Sequence, residues 1–168
     1  LLERNPADWL PKVRQAKTMA VVVPEGDLYR ILRDAAPPMR RMVALAAMAG
    51  LRSAEIAAVT WADIDRDNGV LWVREGKGRK DRYTLLSPRL LDELRTYWRQ
   101  DHPEHWLFPG RDVNLPMPTG TAQKIFYAAK AQAKIEHGHG IHSLRHSFGT
   151  HLMEAGVPLP TIQRLMGH

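Results

Sequence analysis

The amino-acid sequence predicts a mainly α-helical domain with one small antiparallel β-sheet, an α+β fold. Helix start and stop signals recur along most of the chain, and two short strand-like runs flank a glycine-rich turn near its middle. Hydrophobic residues make up 44% of the 168 residues, which is enough for one domain with its own core. We predict that residues 1–22, with two prolines and no sustained helical period, form an interdomain linker and that residues 23–168 form the domain.

The predicted helices begin and end at recognisable residues. Pro24 and the acidic residues after it open a first helix, because proline fits the first turn and acids suit its positive end. The proline pair at 37–38 is expected to break this helix, and a second one runs over 39–48 and ends at Gly50. Ser53 is suited to cap a third helix that continues to residue 59. Further helices are expected near 88–100, 119–135, 143–155 and 159–166.

A β-hairpin is predicted from strands at 69–74 and 82–86, joined by a turn at 76–80. Three of the five turn residues are cations: Lys77, Arg79 and Lys80. The turn can be a solvated hairpin tip, or its flexible lysine can reach a phosphate site from the side. A nucleotide-binding P-loop is not indicated, because the required glycine-lysine spacing is missing and a strand follows where a helix is needed.

Charge and composition narrow the class of partner. Lys and Arg number 24 against 18 Asp and Glu, a formal net charge of +6, which favours nucleic acid first and anionic membranes second. The absence of cysteine excludes disulfides and cysteine-ligated zinc, and it fits a reducing cytoplasm. No apolar run approaches the roughly 18 to 20 residues that a membrane span needs. The first residues lack an initiator Met and resemble no signal peptide, so we interpret them as an internal cut.

Arg52 lies in the short joint between the helix that ends at Gly50 and the next helix. It can be a surface arginine that donates to free carbonyls of the preceding helix. Alternatively, its guanidinium can help bind an anion at the N-terminus of the following helix, where backbone donors and the helix dipole both favour negative charge. The isolated residue leaves both interpretations open.

A histidine-rich segment offers a second candidate site. His142 and Arg145 are three residues apart and share one helix face, whereas His142 and His146 have the i, i+4 spacing of zinc ligands. A third zinc ligand is not evident, and Ser143 occupies the glutamate position of the zinc-protease pattern. A phosphate-binding His/Arg pair is favoured, because arginine binds phosphate bidentately and histidine moves protons near neutral pH. We therefore expect neither a metal nor a cofactor.

The order of these motifs is more specific than any one of them. Leu-Arg-x-x-Glu, Gly-Lys-Gly in a hairpin, His-x-Leu-Arg-His and a final Leu-Met-Gly-His follow one another along the chain. This series resembles the tyrosine recombinase (phage integrase) superfamily, which includes the Xer, Cre and lambda-integrase proteins. The resemblance covers nearly the whole chain and implies the catalytic-domain fold of that family.

The resemblance also implies residue roles. Five positions match catalytic residues of the family: Arg52, Lys77, His142, Arg145 and His168. Glu55 and His146 match supporting positions. Five further cations are expected to contact DNA: Arg79, Lys80, Lys124, Lys130 and Lys134. The implied reaction is a metal-independent transesterification at a DNA phosphodiester, in which a tyrosine becomes linked to the 3′-phosphate.

The family's nucleophilic tyrosine lies a short way after the position matched by His168. The four tyrosines of this chain stand elsewhere: Tyr29, Tyr83, Tyr97 and Tyr127. We therefore expect a polypeptide of these 168 residues to bind double-stranded DNA without cleaving it and to be monomeric in solution. The resemblance implies a tetramer on DNA for a full recombinase, in the cytoplasm and with no membrane partner.

Three other functions are compatible with part of this sequence. A type IB topoisomerase shares the chemistry, but the Leu-Arg-x-x-Glu and Leu-Met-Gly-His segments look more like integrases. A non-catalytic DNA-binding protein could keep the same scaffold, and a sequence without a tyrosine soon after His168 would favour it. A helix-turn-helix regulator is suggested by the turn at 155–157, but it leaves Arg52 and Lys77 unexplained.

Overall fold

The computed structural model describes residues 21–74, 81–136 and 140–167. It confirms the predicted fold class, with helices throughout and one small antiparallel sheet. The helices in this part of the chain are α1 (Glu25–Asp34), α2 (Pro37–Met48), α3 (Ser53–Ala58), α4 (Pro88–Asp101), α5 (Thr119–Gln132), α6 (His142–Glu154) and α7 (Leu159–Met166). The strands are β1 (Ile64–Asp65), β2 (Val70–Val73) and β3 (Arg82–Leu85). Most of the predicted linker, residues 1–20, lies outside the described residues.

Two helix starts differ from the predictions. Helix α2 begins at Pro37, so the proline pair forms its first turn, where a missing N–H costs no helical hydrogen bond. Ser53 is the first residue of α3, and Arg52 occupies the cap position before it. The backbone N–H of Arg52 donates to Glu55 Oε2 at 2.8 Å, so a carboxylate three residues further on satisfies this end of the helix.

The strands of the predicted hairpin pair as expected, with Val70 opposite Leu85 and Val73 opposite Arg82. The predicted turn at 76–80 lies outside the described residues. A two-residue strand, β1, joins the other edge of β2, and the sheet order is β1-β2-β3. Burial alternates along β3, so Arg82 and Thr84 face the protein interior.

Helix α2 is central to the fold, because α1, α4, α5 and α6 all pack against it. Its residues are buried on almost every side; Val43, Leu45 and Ala46 are fully inaccessible to solvent. Helix α7 packs against β3 and α6, and α3 packs against α5. Among the described residues no helix is long and apolar enough to cross a membrane.

The C-terminal end of α2 brings distant elements together. Gly50 has a φ of +64°, and a Cβ there would overlap the ring of Phe148 on α6. The hydroxyl of Thr84 on β3 donates to the carbonyl of Ala49 at 2.8 Å. The end of α2, the start of α3, the strand β3 and the helix α6 therefore meet in one place, and α7 packs beside them.

Candidate active site

Glu55, on the first turn of α3, is the centre of this junction. Its Oε1 accepts from Arg52 Nη1 at 2.7 Å and from Arg82 Nη1 at 2.8 Å, and its Oε2 accepts from Arg82 Nη2 at 2.8 Å. Arg145 Nη1 lies 3.9 Å from Oε2. Burial alone would raise the pKa of Glu55, but hydrogen bonds from Arg82 and Arg52 lower this pKa to about 2. The carboxylate is therefore ionised at neutral pH and neutralises one of three guanidiniums.

Arg52 reaches this site from the start of α3. Besides its bond to Glu55, its Nη2 donates to the carbonyl of Gly167 at 3.2 Å, at the end of α7. The carbonyl of Gly50, at the end of α2, accepts instead from Arg145. The interpretation of Arg52 as a surface residue that caps the helix before it is therefore wrong. One fifth of its side chain is exposed, so part of this side chain can be reached from solvent.

Arg145, on α6, lies at the bottom of the same site. Its Nη1 donates to the carbonyl of Gly50 and its Nη2 to that of Met166. Only 2% of its side chain is exposed. Burial, and then the positive charge of Arg52, lower the pKa of Arg145 to about 10, so the guanidinium keeps its charge at neutral pH.

Arg82 belongs to the site, although the sequence analysis did not identify it. Its position on β3 gives a signal that could have done so: it shares the inward face of the strand with Thr84, and a buried arginine needs a charged partner. Its two Nη atoms bind both oxygens of Glu55, and its Nε donates to the carbonyl of Leu165 at 2.9 Å.

The end of α7 is held by three arginines at once. Its last carbonyls would otherwise have no partner within the helix. Each of three consecutive carbonyls accepts from a different guanidinium: Leu165 from Arg82, Met166 from Arg145 and Gly167 from Arg52. The positively charged groups that converge on Glu55 therefore also fix the point from which the chain continues to residue 168.

His142 is the first residue of α6, one turn before Arg145 on the same helix. Its ring is exposed and lies edge-on to the ring of His146, with centroids 5.0 Å apart and an angle of 89° between the planes. Burial of part of the ring lowers the pKa of His142, and the charges of His146, Arg145 and Arg52 lower it further. The imidazole is therefore neutral at pH 7 and can accept a proton.

A metal centre does not emerge from the described residues. Across residues 21–74, 81–136 and 140–167, no three His, Asp or Glu side chains are placed to hold a metal ion together. His142 and His146 pack against each other through their rings, and the positive charges of Arg145 and Arg52 act on the His142 imidazole. This environment suits an anion better than a cation.

Several predicted residues lie outside the part of the chain that the structure describes. These are Lys77, Arg79, Lys80 and His168. Their roles remain predictions.

Three of the lysines expected to contact DNA lie within residues 119–135, and they have different surroundings in the structure. Lys124 is exposed on α5, and Lys134 is exposed but lies beyond the last residue of this helix, Gln132. Lys130 is buried: its Nζ donates to the carbonyl of Glu136 at 3.2 Å, and its stem lies one turn from Phe126 on the core-facing side of α5. The prediction that Lys130 faces DNA is therefore wrong, because a lysine stem can pack into a core when its ammonium finds a carbonyl.

The chain was compared with known proteins. The model of the phage integrase family matches residues 25–168. Tyrosine recombinase XerA of Thermococcus kodakarensis is 35% identical over 166 residues, which cover 94% of this chain and 57% of that protein. The solved integrase from mycobacterium phage Brujita is 31% identical, with a TM-score of 0.78 over 98% of this chain and 55% of that one.

A third similar protein was solved with a bound substrate. A XerH site-specific recombinase in a post-cleavage complex with a palindromic difH substrate has a TM-score of 0.75 at 21% identity, over 88% of this chain and 46% of that one, which supports the fold alone. This chain thus spans about half the length of these three proteins. The resemblance inferred from the ordered motifs is confirmed: the chain belongs to the phage integrase family of tyrosine recombinases.

Proposed function

We propose that this chain is most of the catalytic domain of a site-specific DNA recombinase that cuts and rejoins DNA through a 3′-phosphotyrosyl intermediate, without a metal. One observation carries the proposal: Arg52 and Arg145, which are 93 positions apart in sequence, meet at one carboxylate and one helix end beside His142. The names of the relatives support it, since they are integrases and site-specific recombinases.

The two arginines would stabilise the transition state. Attack on a phosphodiester gathers negative charge on the non-bridging oxygens of the phosphorus, and guanidiniums can bind such oxygens bidentately. Arg52 is the more exposed and would meet the phosphate directly. Two of the five N–H donors of Arg145 bind carbonyls. Arg145 would act on the phosphate through its remaining donors and through its positive charge, because water screens a buried charge less than an exposed one.

Proton transfers would complete the reaction. A tyrosine oxygen attacks phosphorus, the bond from phosphorus to the 5′-oxygen breaks, and that oxygen needs a proton. Lys77 would supply it, with a pKa lowered by the neighbouring cations Arg79 and Lys80. His142, neutral at pH 7, would bind the phosphate and help take up the proton of the nucleophile, and His168 would bind a non-bridging oxygen.

Double-stranded DNA is the proposed partner. The net charge of +6 favours it, the exposed Lys124 and Lys134 would contact backbone phosphates, and the XerH complex shows a protein of this fold with a DNA substrate. We further propose that residues 1–22 are an interdomain linker, that the complete recombinase acts as a tetramer on DNA in the cytoplasm, and that a polypeptide of these 168 residues is a monomer that binds DNA without cleaving it.

The decisive experiment is covalent capture. The protein is produced with its chain continued past residue 168 and is incubated with a duplex that carries its recombination site and a nick close to the cleavage position. After cleavage, the short fragment between the cut and the nick diffuses away, so the strand cannot be rejoined and the covalent adduct accumulates. We expect an adduct with the unaltered protein and none with Arg52→Ala or Arg145→Ala. Arg33→Ala is the matched control, because this arginine is exposed and paired only with Asp34 among the described residues.

Two outcomes would contradict the proposal. No adduct from any folded form would favour a DNA-binding protein that keeps the scaffold without catalysis. An adduct that relaxes supercoiled plasmid but never exchanges strands between two sites would favour a type IB topoisomerase.

A further inference from the structure

Among the described residues, Arg82 differs from the other two arginines of the site in that all three nitrogens of its guanidinium donate hydrogen bonds within the protein. Its Nη1, Nη2 and Nε all donate to protein oxygens, at 2.8, 2.8 and 2.9 Å. Only 7% of its side chain is exposed. It is therefore placed to hold other residues, and a phosphate that reaches Arg52 would not need to touch it.

The first group that Arg82 holds is the Glu55 carboxylate. A bidentate pair fixes the plane of a carboxylate as well as its position. Glu55 also accepts from the side chain and the backbone N–H of Arg52, so the plane that Arg82 fixes decides where the Arg52 guanidinium points. Without Arg82, the carboxylate is free to turn and pair fully with Arg52, which would withdraw donors from a phosphate.

The second group is the end of α7. The Arg82 stem runs so close beneath Gly167 that a Cβ there would lie 2.8 Å from Arg82 Cδ, and Gly167 has a φ of +67°. The bond from Nε to the carbonyl of Leu165 fixes the first of the three carbonyls in this turn. The next two carbonyls, those of Met166 and Gly167, accept hydrogen bonds from Arg145 and Arg52.

We propose that Arg82 is a positioning residue for the phosphate-binding arginines: it fixes the Glu55 carboxylate on one side and the α7 terminus on the other, so that Arg52 and Arg145 are held in the geometry that catalysis needs. This inference rests on the proposed recombinase function. It assigns to β3 a part in the reaction that is separate from the hairpin lysine.

The test separates positioning from stability. In the chain continued past residue 168, Arg82→Lys and Arg82→Met are compared with the unaltered protein for thermal stability, DNA affinity and the rate of covalent adduct formation at saturating DNA. Arg74→Met is the control: this arginine is also paired with a buried carboxylate, Asp63 at 2.6 Å, but its side chain is 65% exposed and contacts neither Glu55 nor α7 among the described residues.

We expect the adduct rate of folded Arg82→Met to fall about 100-fold, the loss typical of a site displaced by about 1 Å, while DNA affinity changes less than about threefold. Arg82→Lys should fall nearly as far, because an ammonium keeps the charge but cannot hold both carboxylate oxygens. Arg74→Met should keep the rate. A merely structural role predicts rates that drop only in proportion to the unfolded fraction and recover fully on cooling.

The possible failures are distinguishable. If the unaltered protein forms no adduct, the proposed function fails, whatever Arg82 does. If the unaltered protein forms the adduct and a folded Arg82 variant forms it at the same rate, the positioning role fails and the function stands. If neither variant folds, Arg82 is a structural residue and the positioning role is overturned.

Discussion

Two carboxylates with less than a tenth of their side chains exposed begin from the same local arrangement and end in different surroundings. Glu55 accepts from the backbone N–H of Arg52, three residues before it, and Asp63 accepts from the backbone N–H of Thr60 in the same way, at 2.9 Å. Each thereby closes the first turn of a short helical segment.

The partners of the two carboxylates are what differ. Among the described residues, Asp63 adds the nearby hydroxyl of Thr60 and the exposed Arg74, so there one carboxylate faces one guanidinium. Three guanidiniums of the described residues face the Glu55 carboxylate: that of Arg52 at the cap position before α3, that of Arg82 on β3 and that of Arg145 on α6. Two positive charges therefore remain in excess there. The comparison teaches that two similar helix caps differ in net charge according to how many guanidiniums the fold brings to them, and an excess of positive charge is what an anion site requires.

The largest expected effect tests the geometry in which one of the excess positive charges is held. Arg145→Lys keeps the charge but loses the fork that spans the carbonyls of Gly50 and Met166. We expect the single-turnover rate of adduct formation to fall about 10³-fold, the upper range for loss of one preorganised donor. Arg74→Lys, at the Asp63 site, should leave the rate unchanged. Equal rates in Arg145→Lys and the unaltered protein would mean that the arginines around Glu55 matter no more for the reaction than the arginine beside Asp63.

The next prediction compares stability. Glu55→Gln leaves several buried donors without their charged acceptor and should lower the free energy of unfolding by about 3 kcal/mol. Asp63→Asn removes a cap and a mostly exposed ion pair, and should cost about 1 kcal/mol. Urea unfolding at pH 7 measures both. A larger loss at Asp63 would show that the exposed pair with Arg74 matters more than the buried cluster.

The pH dependence of stability has a definite sign. The pKa of Glu55 in the folded protein is about 2, below the 4.5 of the free side chain, so its contribution is complete above pH 4.5 and is lost as the pH falls towards 2. The pKa of Asp63 is lowered too, against burial, by hydrogen bonds from Arg74 and Thr60. Between pH 5 and pH 3, urea midpoints should therefore fall less in Glu55→Gln than in the unaltered protein, and equal falls would contradict the assignment.

The sequence was informative where signals are local. Proline and glycine positions located the main helices, and the alternating runs located the hairpin strands, because caps and periodicity act within a few residues. Strand β1 and the single turn at Trp61–Asp63 escaped prediction, since two or three residues carry no period.

The site was predictable only in part, for a related reason. The motif series gave Arg52, His142 and Arg145, and the structure brings them together. Arg82 was missed because its pairing with Glu55 spans 27 residues and depends on how β3 packs on α3. Lys130 was assigned to DNA in error because charge alone does not say which way a lysine stem packs.

The smallest expected effect concerns the pKa of His142, on which the excess positive charge acts. Burial is the largest cause of the lowered pKa of this imidazole, and the charges of His146, Arg145 and Arg52 add to it while Glu55 opposes them. Arg52→Gln removes one of these cations, so the pKa of His142 should rise towards its usual 6.5. Arg74→Gln, which removes the cation beside Asp63, should leave it where it is. Titration of the imidazole resonances by NMR measures the His142 midpoint in both variants. An unchanged midpoint in Arg52→Gln would mean that the charge of Arg52 does not act on this histidine.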